Sequence, residues 1–176
     1  MDWYETVFSV IDMRSFSNLW YWIALAILWS SVSHWVLGVP FDMIIRARRQ
    51  KDGDAMNDLH DLVRVNVRRI LYIAETAGSW ILLFGSAVFT TFLLLAVFYD
   101  IEFAQATLLL AAPMGILGAL SVRTSRRIQS DGDQGDALVR RLMKHRFVTQ
   151  MLGVFAIFVT AMFGMYKNLY VGPLGF

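Results

Sequence analysis

The side chains able to do chemistry in this chain are grouped rather than scattered. Of 16 Lys and Arg residues, seven lie between Pro40 and Glu75: Arg46, Arg48, Arg49, Lys51, Arg64, Arg68 and Arg69. Seven more lie between Val122 and Phe147: Arg123, Arg126, Arg127, Arg140, Arg141, Lys144 and Arg146. Cations at this density make charge-assisted hydrogen bonds to carboxylates and phosphates. The chemistry they offer is recognition of an acidic protein surface or of anionic lipid headgroups. Arg64, Arg68 and Arg69 precede one apolar stretch, and Arg140, Arg141, Lys144 and Arg146 precede another. These seven are the expected contact residues. The net charge of +2 is too small to suggest nucleic acid.

His34 is the one ionisable residue well inside an apolar stretch, with Ser30, Ser31 and Ser33 beside it. An intramembrane ionisable group suggests a proton relay, but a relay needs a carboxylate at similar depth. Asp42 and Glu75 lie nearer the boundary, so a neutral His34 hydrogen-bonded across a helix seam is expected. The clusters Asp52-Gly53-Asp54 and Asp131-Gly132-Asp133 lack the alternating ligands and closing Glu of a calcium loop. They read as turns, with Asn57 and Asp136 as helix N-caps. His60 and His145 have no partners at zinc-ligand spacing. With no cysteine, this chain forms no disulfide and gives no thiolate to zinc or to an iron–sulfur cluster. No nucleophile elbow, phosphate-binding loop or dinucleotide fingerprint is present, so neither catalysis nor a cofactor is expected.

The elements that must position these residues are apolar. Hydrophobic residues make up 57% of the sequence and charged residues 17%, with a mean hydropathy of +0.51. A soluble domain carries about a quarter charged residues. Apolar stretches at about 19–39, 76–99, 103–122 and 147–166 approach or exceed the ~20 residues needed to cross the hydrocarbon. The second and third are separated only by Asp100-Ile101-Glu102 and must be antiparallel neighbours. Residues 2–13 pattern as an interfacial amphipathic helix anchored by Trp3 and Tyr4. The N-terminus lacks the basic region of a secretory signal, so the first span is expected to remain as an anchor. Lys/Arg-rich short loops stay inside. The expected fold is therefore an all-α four-span membrane bundle, with basic cytoplasmic segments at 40–75 and 123–146 and both termini outside. Helical spacing before the second and fourth spans extends both helices into the cytoplasm.

Small residues recur every four positions: Ala26, Ser30, His34 and Gly38; Thr107, Ala111, Gly115 and Ala119; Ala156, Thr160 and Gly164. Such stripes let helix backbones approach closely. Ser30, His34, Gly38, Ala111, Gly115 and Gly164 are thus the expected packing seam, with a transport path along Ser30 and His34 as the alternative. An internal echo links Arg48–Asp54 to Arg126–Asp133, Leu62-Val63-Arg64 to Leu138-Val139-Arg140, and Leu37-Gly38 to Leu117-Gly118. The two units share an orientation, so a duplication would be a parallel repeat.

The stretch Met13–Trp22, together with Ser33–Asp42, resembles a family of small proteobacterial polytopic membrane proteins labelled as a component of the SufBCD complex. The resemblance covers most of the chain and implies an accessory role beside iron–sulfur cluster assembly, without a catalytic motif to transfer. The expectation is a multi-pass inner-membrane protein that contacts membrane lipids. It would recruit or pack against another membrane or membrane-associated complex through its basic helices, as a non-catalytic scaffold. A small oligomeric transporter or channel is the alternative.

Overall fold

A computed structural model describes residue 16, residues 19–50 and residues 53–170. The interfacial helix expected at 2–13 lies outside them. The described residues form six helices: α1 (Leu19–His34), α2 (Phe41–Arg49), α3 (Asp54–Thr76), α4 (Gly78–Val97), α5 (Glu102–Asp131) and α6 (Gly135–Tyr170). A two-stranded ladder, β1 (Trp35–Val36) with β2 (Val39–Pro40), joins α1 to α2. The described residues are all-helical apart from that ladder and its connections. Three helices, α4, α5 and α6, are long and apolar enough to cross a membrane.

The α4–α5 hairpin forms where the sequence places it. Gln105 donates to the Ala96 carbonyl (3.0 Å) and to the Asp100 carboxylate (2.6 Å), closing the turn from within. Asp100 takes a positive φ of 50°, which Asp tolerates better than most residues. Lys167 near the end of α6 donates to the same carboxylate at 2.6 Å, so the far ends of α4, α5 and α6 meet. Hydrogen bonds from Lys167 and then Gln105 hold the Asp100 carboxyl below the usual carboxylate range. Glu102 accepts the Phe16 amide at 2.7 Å, which brings the chain just before α1 to this same end.

From there α1 runs along α6. Trp22 lies against Gly164, and seven residues further on Trp29 lies against Gly153, where an added Cβ would sit 2.8 Å from the indole. Leu25, Trp29 and Ala156 form a buried cluster flanked by Leu110 of α5. The seam is therefore a knob-and-hole contact: aromatics from α1 enter hollows left by Gly153, Ala156, Thr160 and Gly164. Thr160 and Gly164 are buried, as the small-residue stripe of the fourth span predicts.

The main core sits at the opposite, basic end. Leu59, Val63, Val67 and Leu71 of α3 pack with Ile44 and Ala47 of α2, Ile128 of α5, and Leu138, Val139 and Leu142 of α6. The buried positions of α3 recur every three or four residues, which puts its arginines on the outer face. Val36, Leu37 and Val39 plug the ladder into the same core. The turn between the strands has positive φ at both central residues, Leu37 (53°) and Gly38 (77°), as a two-residue hairpin of this hand requires. Buried Asn66 donates to the Gly38 carbonyl at 3.2 Å and pins the turn on α3. His60 accepts the Gly135 amide at 2.9 Å, satisfying one free donor at the start of α6.

Several boundaries differ from the sequence reading. The first apolar helix ends at His34, not Val39, because Val36 and Val39 leave it to enter the basic-end core. The segment at 40–75 begins its long helix at Asp54 after Gly53, not at Asn57, because Ala55 and Met56 are already buried. Asp136 lies in the first turn of α6 instead of capping it, where its charge still suits the helix dipole. The segment 123–146 is almost wholly helical: α5 runs unbroken through buried Pro113 to Asp131, and only residues 132–134 turn. One pair of the internal echo differs in conformation: Leu37-Gly38 is a hairpin turn and Leu117-Gly118 a helix interior.

Candidate functional site

Between the basic ends of α5 and α6 lies an open cleft of about 690 Å³. Its construction follows from two helices that both outlast their apolar stretches. Gly132, at φ 63°, reverses the chain after Asp131, and the Asp133 amide returns to the Ile128 carbonyl at 3.4 Å. The helices then run back side by side with like charges one turn apart on each: Arg123 and Arg127 on α5, Arg140 and Lys144 on α6. Leu120 and Val148 line the apolar end. Thr124 Oγ1 and His145 Nδ1, 3.1 Å apart, bridge the two helices. The apolar part of α6 begins at Phe147, so His145 stands just outside it, and burial pushes its imidazole below the ordinary histidine value. The neutral ring suits a hydrogen bond to a hydroxyl.

Both acidic residues of the cleft are in ion-pair contact with one cation, Arg141, and Asp131 is also attracted by Arg127. Arg141 reaches Asp131 at 2.7 Å and pairs with Asp133. Hydrogen bonds from Ser130 and Arg141 hold the Asp131 carboxyl below its usual range. Among the described residues, no carboxylate lies in ion-pair contact with Arg123, Arg127, Arg140 or Lys144.

The seven expected contact residues therefore divide. Arg64, Arg68 and Arg69 are exposed on α3, with Arg64 paired to Asp61 at 2.7 Å. Arg140 and Lys144 are exposed in the cleft. Arg141 and Arg146 already have partners within the chain. The first is taken by Asp131 and Asp133, and the second lies 3.4 Å over the Phe41 ring as a cation–π contact tying α6 to α2. Arg123 and Arg127 are the functional candidates that the sequence reading left among topological charges. Their i,i+4 spacing, on a face apart from buried Ser125 and Ile128, was the available signal.

The expected seam is corrected as well. Gly164 is buried in it, but Ser30, His34, Ala111 and Gly115 are exposed. Leu25 and Trp29 define the buried face of α1, and Ser30 is about 100° around the helix from Trp29. Gly38 belongs to the hairpin turn. On α5 the inward residues are Ala106 and Pro113, with Leu110 and Leu117 half-buried in the same phase. A second cavity, of about 370 Å³, lies where the ladder meets α1, α3, α5 and α6, with Ser31, Ser121, His145 and Thr149 as its polar lining.

Among the described residues no three His, Asp or Glu side chains gather to hold a metal ion. No family model, curated protein or solved structure matches the chain.

Proposed function

We propose that this chain is a non-catalytic accessory or scaffold protein of a bacterial inner membrane, and that it docks another complex through its basic cytoplasmic end. The observation that carries the reading is the packed body formed by α2, α3 and the basic ends of α5 and α6. It has a core of its own and turns Arg64, Arg68 and Arg69 outward. Topology alone needs only a few positive charges per loop. A rigid body with surplus exposed cations suits an acidic partner. The resemblance described above would make that partner a complex of iron–sulfur cluster assembly.

In this reading α1 is the fourth span. Its 16 residues rise ~24 Å, short of the ~30 Å hydrocarbon, a mismatch that bilayers absorb by local thinning. Support comes from its partners: Phe16 meets Glu102 at one end, and Ser31 shares a cavity with Ser121 and Thr149 at the other. It travels the same depth as the apolar parts of α5 and α6. Four crossings put the N-terminus, the α4–α5 turn and the end of α6 in the periplasm. Reporter fusions after Asp100 and Tyr170 should report the periplasm, and fusions after Asp54 and Asp133 the cytoplasm. Opposite labelling at either basic segment overturns the orientation.

Docking is tested on α3. The combined change Arg64→Gln, Arg68→Gln and Arg69→Gln should release a co-purifying protein at lower salt than the native chain, since exposed charges are screened over about 10 Å at 0.1 M. A correctly inserted variant that holds every co-purifying protein with unchanged salt sensitivity ends the docking reading. The transporter alternative needs a second copy to cover Ser30 and His34, because both face out of the described bundle.

A further inference from the structure

We infer that the cleft between the basic ends of α5 and α6 is a binding site for a lipid whose headgroup is a multiply charged phosphate, a phosphomonoester or a diphosphate. Charge comes first. Five cations line the cleft against two carboxylates, and both carboxylates are in ion-pair contact with Arg141, with Arg127 attracting Asp131 at longer range. Arg123, Arg127, Arg140 and Lys144 are left converging on one space. Like charges one turn apart on a helix repel, so four of them around a cavity are unfavourable unless an anion fills it. A surplus of three positive charges matches a phosphate bearing two or more negative charges better than a monoanionic diester.

Depth and shape select a lipid over a free anion. The apolar stretches of α5 and α6 end at Val122 and Phe147, so Arg123 and Lys144 stand at the level of the headgroup phosphates. Arg127 and Arg140 stand one turn, ~5.4 Å, further out. The cations thus form two tiers along the membrane normal, suited to a headgroup that projects from the surface. At the opposite end Leu120 and Val148 line the cleft, and beyond them Phe155 of α6 and Ile116 of α5 are exposed. Acyl or isoprenoid chains leaving the cleft would lie along that apolar surface. The Thr124–His145 hydrogen bond ties the two walls together, so the site is preformed.

The site is separate from the α3 docking surface, and its test uses purified protein with no partner present. Full-length protein in zwitterionic detergent micelles would be titrated with phosphatidic acid, phosphatidylglycerol, phosphatidylcholine and inorganic pyrophosphate, with occupancy read by native mass spectrometry. Phosphatidic acid should bind at least tenfold more tightly than phosphatidylglycerol, with phosphatidylcholine weaker still. The combined change Arg123→Gln, Arg127→Gln, Arg140→Gln and Lys144→Gln should weaken phosphatidic acid at least tenfold. The Arg64→Gln, Arg68→Gln, Arg69→Gln variant should leave it within twofold. Ala137→Glu, which adds a carboxylate to the cleft wall with the cations intact, should weaken it several-fold. Equal loss in both arginine variants would mean general attraction of charge and would overturn the site. Equal affinity for the phosphomonoester and the diester overturns the headgroup assignment. Pyrophosphate that binds as tightly as phosphatidic acid and displaces it overturns the lipid assignment in favour of a soluble anion.

Discussion

Gly153→Leu should detach α1 from α6. An added Cβ alone would sit 2.8 Å from Trp29 Cε3 and 3.1 Å from Cζ3, closer than packed carbons tolerate. The ring cannot retreat, because Trp29 is 4% exposed and packs with Leu25 and Ala156. Leucine adds three more carbons at the same point. Overpacking of a filled contact costs about 1–3 kcal/mol, and a clash against a locked indole belongs at the upper end. The chain has no cysteine, so Leu25→Cys with Ala156→Cys gives a clean crosslinking pair in the native background. Crosslinking should be efficient there and fall sharply when Gly153→Leu is added. Trp29→Ala should restore much of it, since the two side chains compete for one volume and their effects will not add. Unchanged crosslinking in the Gly153→Leu background would show that α1 does not pack on this face of α6.

This contact shows what the sequence made visible and what it hid. Small residues at four-residue spacing correctly marked α6, because Ala156, Thr160 and Gly164 are hollows that another helix can fill. The same pattern misled on α1. A seam needs hollows on one side and knobs on the other, and the knobs are Leu25 and Trp29. From sequence alone an aromatic on a membrane helix reads equally well as facing lipid. The α4–α5 hairpin was legible because Asp100-Ile101-Glu102 is the only charged interruption in a long apolar run. The ladder at Trp35–Pro40 was not. It depends on Leu37 holding φ 53°, uncommon for a side chain with a Cβ, and the turn is supported by Asn66, which bonds the carbonyl of Gly38, 28 residues before it. The cleft was half legible. Its cations stood out by composition, but its shape required α5 to continue as a helix past Val122. A charge-rich segment after a span reads as a loop until its buried residues, Ser125 and Ile128, are seen in helical phase.

Leu142→Ala should unravel the basic end while leaving the apolar helices in place. Leu142 is fully buried at the junction of α2, α3, α5 and α6, in contact with the cluster that includes Leu59, Val63 and Ile44. Removing three carbons from such a site costs about 2–5 kcal/mol, the transfer term plus the cavity left behind. Much of that loss should appear locally. This core is the only large buried cluster among the described residues of the basic segments, whereas the buried contact of α1 with α6 lies elsewhere along the helices. Amide hydrogen exchange in detergent micelles should accelerate by ten- to a thousandfold across α3 and the first three turns of α6. The reasoning is that each 1.4 kcal/mol of lost local stability is about a tenfold change in opening, provided exchange there proceeds by sub-global opening. Exchange in the apolar parts of α5 and α6 should change little, and the orientation of the chain should hold because every Lys and Arg remains. Equal acceleration along the whole chain would mean that the two ends unfold as one unit. No acceleration anywhere would mean that the basic segments carry no packed core, and with it the rigid surface on which both the docking face and the lipid cleft depend would be lost.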